Sequence, residues 1–172
     1  MTATECRQKR LLATYETRFG RGLLEWRHGI LLANRLPDRQ RRRMQTDRAG
    51  SMEHPAATRN LAAQLEAYFS GTPVDFDPET IPLEMSGWSD FEIKVAEALA
   101  AVPYGSCVSY GQLAERAGYP GAARAAGNFL AKNPFPVILP CHRVILASGR
   151  AGSFSAGASW KWRLLELEGI VI

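Results

Sequence analysis

Pro140-Cys141-His142-Arg143-Val144-Ile145 places a thiol directly beside an imidazole, between a proline and an apolar run. A free cysteine has a pKa near ~8.5 and needs help to become a thiolate at neutral pH. Imidazole, with a pKa near ~6.5, is the side chain best suited to take that proton. The chemistry open to such a pair is nucleophilic. Neighbours on an extended chain point apart, so a working pair predicts a turn or a bridging water rather than direct contact. The competing reading is a buried structural cysteine beside a surface histidine, because free cysteine is among the most buried residue types.

The other reactive side chains narrow the possibilities. The cysteines are Cys6, Cys107 and Cys141, so any disulfide scheme leaves one over, and no CxxC or close Cys/His cluster occurs. The expectation is therefore no disulfide framework, no metal, no cofactor, and a reduced, cytoplasmic setting. Met1–Leu12 is polar and basic, unlike a signal peptide. No run reaches the ~20 apolar residues of a membrane helix, so no membrane partner is expected. The net charge of +4 leans weakly toward polyanions. Residues 1–87 carry 13 basic and 11 acidic side chains, and residues 88–172 carry 8 and 6, so neither half holds the excess alone. Arg41-Arg42-Arg43 lies in a polar stretch, Pro37 to Ser51, that reads as a nucleic-acid patch or, more simply, a solvated loop or loop-helix.

The elements that must position these groups follow from patterning. Leu11 to Arg18, Leu23 to Arg27 and Ile30 to Asn34 read as short strands, with turns at Gly20-Arg21-Gly22 and His28-Gly29. Leu61, Leu65 and Phe69 recur at spacing four and predict a helix over Thr58 to Phe69, stopped by Gly71-Thr72-Pro73. Val74 to Pro82 is extended and acidic, and Glu84 to Ser89 reads as a linker. Ser89 with Glu92 forms a capping box opening a helix to Val102. Ser109 caps a shorter helix, Tyr110 to Ala117. After Gly118-Tyr119-Pro120-Gly121 comes another, Ala122 to Lys132, which makes a helix-turn-helix candidate of low specificity on its own. Val144 to Ala147 reads as a buried strand, Gly152 to Gly157 as a flexible loop, and Ser159 as the cap of a last helix, Trp160 to Glu168.

The fold class expected is α/β in two lobes. Residues 1–87 make a small antiparallel sheet plus a helix. Residues 88–172 make a mostly α lobe with a helix-turn-helix and a short strand pair.

Six pieces in order resemble the O6-alkylguanine-DNA alkyltransferases, the methylated-DNA–protein-cysteine methyltransferases. They are Val108-Ser109-Tyr110-Gly111-Gln112-Leu113-Ala114, Ala122-Ala123-Arg124-Ala125-Ala126-Gly127, Asn133-Pro134, Pro140 to Ile145, Gly152-Ser153-Phe154-Ser155, and Leu164 to Gly169. The resemblance spans about 80 residues, and a set of ordered motifs is far more specific than any one of them. The N-terminal 87 residues fit the family's smaller α/β lobe mainly in length and pattern.

The resemblance implies a reaction and its parts. Cys141 stands at the acceptor position, where it takes the alkyl group from O6 of guanine in double-stranded DNA once and irreversibly; O4 of thymine stays open as a second substrate. His142 would take the thiol proton through a water, Glu168 would orient His142, and Asn133 would support the turn. Tyr110 would donate toward guanine N3; as bare sequence it is equally a core aromatic. Arg124 would fill the stack behind a flipped nucleotide, while Ala122, Ala123, Ala125 and Gly127 let the backbone approach the minor groove. Pro136, Val144, Gly152, Ser153, Phe154 and Ser155 would line the alkyl-base pocket. A monomer is implied.

Phe154 replaces a tyrosine that many members carry, and Asn128-Phe129-Leu130 is bulkier than the family's small-residue pattern. The alternatives are a non-catalytic alkyltransferase-like lesion binder, against which Cys141 itself argues, a DNA-binding regulator, and a Cys-His hydrolase that would turn over repeatedly.

Overall fold

The structure is a computed structural model and describes residues 10–39, 47–48 and 55–172. The chain divides into two compact units: Met1–Thr72 with Glu79–Glu84, and Pro73–Pro78 with Met85–Ile172. Cys6 and Arg41-Arg42-Arg43 lie outside the described residues.

Among the described residues the first unit is a meander with one helix. β1 (Leu11–Thr17), β2 (Gly20–Arg27) and β3 (Ile30–Asp38) pair antiparallel, and β4 (Asp47–Arg48) adds in parallel to β1, giving the order β3-β2-β1-β4. His28 and Gly29 both take positive φ, 52° and 80°, as a two-residue hairpin between Arg27 and Ile30 requires. The first turn is not Gly20-Arg21-Gly22, as the glycines suggested. The chain turns at Arg18-Phe19, and all three residues belong to β2. Gly22 is there for space: a Cβ at this position would fall 2.0 Å from the ring of its cross-strand partner Tyr15. Pro37 extends β3 instead of opening a loop, which an edge strand permits. α1 (Ala56–Ser70) packs Leu61, Leu65, Tyr68 and Phe69 inward and ends at Gly71 in the left-handed conformation.

The second unit is mostly helical. α2 (Asp90–Ala100) and α3 (Tyr110–Arg116) each start with a full capping box, Ser89 with Glu92 and Ser109 with Gln112. α3 and α4 (Ala123–Leu130) form the helix-turn-helix pair, joined through Gly118 and Gly121, both at positive φ. Phe129 and Leu130, the bulky residues of α4, are buried, and Phe129 meets Trp88 edge-on at 5.0 Å. Only Asn128 of that trio is exposed, so the added bulk serves packing and not the outer face. β5 (Val108–Ser109) runs parallel to β6 (Val144–Ile145), pairing Val108 with Val144.

The strand expected over Val144 to Ala147 is thus two residues long, and Leu146 and Ala147 are exposed. α5 (Ala158–Leu167) is not capped by Ser159. Gly157, at φ 92°, starts it, and the Gly157 carbonyl accepts the Trp160 and Lys161 N–H groups.

Candidate active site

Cys141 sits on one turn of 3-10 helix, Cys141–Arg143, and both Cys141 and His142 are buried, at 4% and 0% exposure. The surface histidine of the simpler sequence reading is therefore excluded. The turn is held from both sides. Upstream, Asn133 Nδ2 donates to Leu139 O at 2.9 Å and to Cys141 Sγ at 3.1 Å, and Asn133 Oδ1 accepts Phe135 N–H at 2.9 Å. Between them Val137, a buried β-branched residue, takes φ +76°, a conformation that costs about 1–3 kcal/mol. Downstream, β6 pairs with β5, and this seats Tyr110, the next residue after β5, beside the turn.

The tight turn sends the imidazole toward α5. His142 Nε2 meets Glu168 Oε1 at 2.7 Å, both side chains fully buried. Burial would raise the Glu168 pKa, but His142 and Arg143 hold it down to about 2. Glu168 is therefore an anion, His142 Nε2 carries the hydrogen toward it, and Nδ1 is left as the basic nitrogen. Burial lowers the pKa of His142, and the Glu168 contact opposes that.

Desolvation pushes the Cys141 thiol up to about 11, while Asn133, Lys161 and the backbone N–H groups of the turn pull it back. The resting group is a thiol with the partners of a thiolate already in place.

The sequence reading missed Lys161 and Arg143. Lys161 is wholly buried, donates from Nζ to Val144 O at 2.6 Å, and lies 5.9 Å from the Tyr110 ring centroid. Burial lowers its pKa to about 8, with the two thiols Cys141 and Cys107 opposing the shift. A signal was available. Lys161, Leu164, Leu165 and Glu168 fall at i, i+3, i+4 and i+7, so both charges sit in the apolar stripe of α5. Arg143, 2% exposed, donates to both Glu168 oxygens.

The remaining expected residues fall into two groups. Of those expected to line a pocket, Pro136 and Val144 are buried, and a Cβ at Gly152, at φ +72°, would meet Leu146 and the Tyr110 hydroxyl. Phe154 is half-buried, and Ser153 and Ser155 are exposed. An open cavity of about 530 Å³, lined by Leu146, Arg150, Trp162 and Ile172 among others, shares Gly152 with this set. On α4, Arg124 and Ala125 are exposed, with Ala122, Ala123 and Gly127 partly so. Gly127 faces Tyr110: a Cβ there would sit 3.6 Å from its ring. Among the described residues no cluster of His, Cys, Asp or Glu is fit to hold a metal. No helix there is long and apolar enough to cross a membrane.

Known proteins are similar to this chain in sequence and in fold. A family model described as "6-O-methylguanine DNA methyltransferase, DNA binding domain" matches residues 90–170. A methylated-DNA–protein-cysteine methyltransferase of Mycolicibacterium paratuberculosis is 45% identical over 121 residues, spanning 70% of this chain and 71% of that protein. One from Mycobacterium leprae is 40% identical over 142 residues, 82% of each. The crystal structure of Mycobacterium tuberculosis OGT in complex with DNA aligns with a TM-score of 0.72 at 37% identity, covering 91% of both chains. On this similarity, over more than two thirds of each chain, the protein belongs to the methylated-DNA–protein-cysteine methyltransferase family.

Proposed function

We propose that this chain repairs DNA by direct reversal, moving the alkyl group from O6 of guanine onto Cys141, once per molecule. The observation that carries the assignment is the buried Asn133–Cys141 contact set beside the His142–Glu168 pair on one turn. It holds a buried thiol whose hydrogen-bond donor and base–acid pair are already in place. The cysteine also separates this chain from lesion binders that lack an acceptor.

The chemistry is displacement at a saturated carbon. The Cys141 proton passes through a water to His142 Nδ1, and Glu168 stabilises the imidazolium. The thiolate forms the S–C bond as the C–O6 bond breaks, and the electron pair leaves with guanine. Tyr110 gives its proton to N3 of the departing base, which offsets the charge developing there. Lys161 stands near the thiol as a fixed cation that favours the thiolate.

The target base must leave the stack to reach a buried thiol, and this costs a few kcal/mol. Arg124 on the outer face of α4 fills the gap, and Ala122, Ala123, Ala125 and Gly127 let that helix lie close to the minor-groove backbone. Pro136, Val144, Gly152, Ser153, Phe154 and Ser155 enclose the alkylated base. On this reading residues 88–172 hold the DNA-binding and acceptor functions. The protein acts as a monomer in the cytoplasm, associated with the nucleoid when on DNA.

Intact-protein mass spectrometry after incubation with duplex DNA containing O6-methylguanine tests the proposal. One added methyl, mapped to Cys141 and absent from Cys141→Ala, is expected. Labelling at Cys6 or Cys107, or product beyond one equivalent, overturns it; repeated turnover points instead to a Cys-His hydrolase.

A further inference from the structure

Pro73–Pro78 is flanked on both sides by residues of the first unit, yet it belongs to the second. Phe76 is buried, at 6% exposure, and fixes the strap. The preceding residue, Asp75, is half-exposed and turns its carboxylate to the buried charges of the site. Asp75 Oδ1 accepts Arg143 Nη1 at 2.9 Å and Tyr104 N–H at 2.8 Å.

Arg143 is the hinge of this arrangement. Its Nη1 also donates to Val102 O at 2.6 Å, and its Nε and Nη2 donate to Glu168 at 3.0 to 3.2 Å. The Tyr104 ring centroid lies 5.8 Å from the guanidinium, and Tyr104 OH donates to Leu167 O at 2.8 Å. Glu168 therefore serves two cationic or potentially cationic partners, His142 and Arg143. The charge of Arg143 works against protonation of His142. A second carboxylate on Arg143 offsets that charge and leaves more of Glu168 for the imidazole.

The geometry points to Asp75 as a positioning residue for the acceptor relay: through Arg143 it holds Glu168 to His142 and keeps His142 basic enough to take the Cys141 proton. This deepens the proposed function and rests on its Cys141–His142–Glu168 relay. The charged groups facing His142 are Glu168 and Lys161 from α5, with Arg143 and Cys141 from its own turn. Those facing Arg143 are Glu168 and Asp75, with Tyr104 and Cys107 within reach of its charge. Asp75 touches neither thiol nor imidazole, so its effect is read as a shift in relay basicity.

Asp75→Asn in the full chain is the test, because asparagine keeps an oxygen for the Tyr104 N–H and loses only the charge. The readout is the rate of Cys141 carbamidomethylation by iodoacetamide from about pH 5 to about pH 9, which needs no DNA. The expected result is a rate lowered about three- to tenfold at neutral pH, an acid limb moved to lower pH, and both restored in Asp75→Glu. A rate within about twofold of the parent with an unmoved limb overturns the inference. A lowered rate with an unmoved limb, or loss of folding by near-UV circular dichroism, assigns Asp75 a structural role and overturns it equally. Methyl transfer from O6-methylguanine DNA is measured separately, so failure of the repair reading appears there and not in the iodoacetamide profile.

Discussion

Lys161 on α5 and Glu168 at its C-cap lie about two turns apart, both buried, and grip the acceptor segment at its two ends. Lys161 Nζ donates to Val144 O at 2.6 Å, and Glu168 Oε1 meets His142 Nε2 at 2.7 Å. One helix, with the residue that ends it, thus sets both the orientation of the base and the position of a buried cation that favours the thiolate.

Glu168→Gln should leave His142 without an anion and slow alkyl transfer at least about tenfold, as loss of an orienting acid does in comparable sets. It should also change acid stability. The folded pKa of Glu168 is about 2 against an ordinary 4.5. Its contribution is complete above about 4.5 and fades as pH falls toward about 2. The gap in Tm between parent and Glu168→Gln should therefore narrow through that window. A constant gap in thermal melts would refute the assignment.

Lys161→Met keeps the length of the side chain and removes the charge. Without that cation the thiol, already pushed up to about 11, becomes still harder to ionise. Reaction with free O6-benzylguanine or iodoacetamide should slow by about tenfold, the equivalent of one pKa unit. The folded pKa of Lys161, about 8, lies below its ordinary 10.5. Its burial penalty is full below about 8 and shrinks as pH rises toward 10.5. Parent stability should accordingly rise relative to Lys161→Met across that range in parallel denaturant titrations.

Gly127→Ala separates packing from DNA approach. The new methyl would meet the Tyr110 ring at 3.6 Å, an ordinary contact, in a helical position. Helix propensity alone predicts a gain of up to about 1 kcal/mol. Tm should rise while transfer from duplex DNA slows and reaction with free O6-benzylguanine holds. Unchanged duplex repair would remove Gly127 from the DNA-facing set.

Arg124→Ala should slow repair of duplex DNA on the order of tenfold or more, because the gap left by the flipped base goes unfilled. Reaction with the free base should change by less than about twofold, since Arg124 is exposed on α4. Equal slowing of both would exclude a finger role. Binding to DNA should weaken with salt in parent and variant alike.

Much of the local structure was legible in the chain. Ser89 with Glu92 and Ser109 as caps, Gly71 as a stop, and His28-Gly29 as a turn are short-range signals, and the structure shows each of them. The misread glycines mark the limit of such signals. Gly20 and Gly22 look like a turn, yet Gly22 is a strand residue because the ring of Tyr15 lies over it. Ser159 has the chemistry of a cap, but the conformation at Gly157 starts the helix two residues earlier.

The site divides the same way. The sequence by itself determined the family resemblance, the adjacency of Cys141 and His142, and the residue types of the ordered motifs, because these are properties of neighbours. The resemblance pairs Glu168 with His142 and sets Asn133 at the turn, but only the tertiary structure decided that the His142–Glu168 pair is buried, that Asn133 reaches the thiol itself, that Arg143 joins Glu168 to Asp75, and that Lys161 is buried against Val144 O. The reason is physical. A buried charge is tolerated only with partners; a local pattern can place Lys161 and Glu168 in an apolar stripe, but the partners come from elements distant in the chain, which no local pattern names.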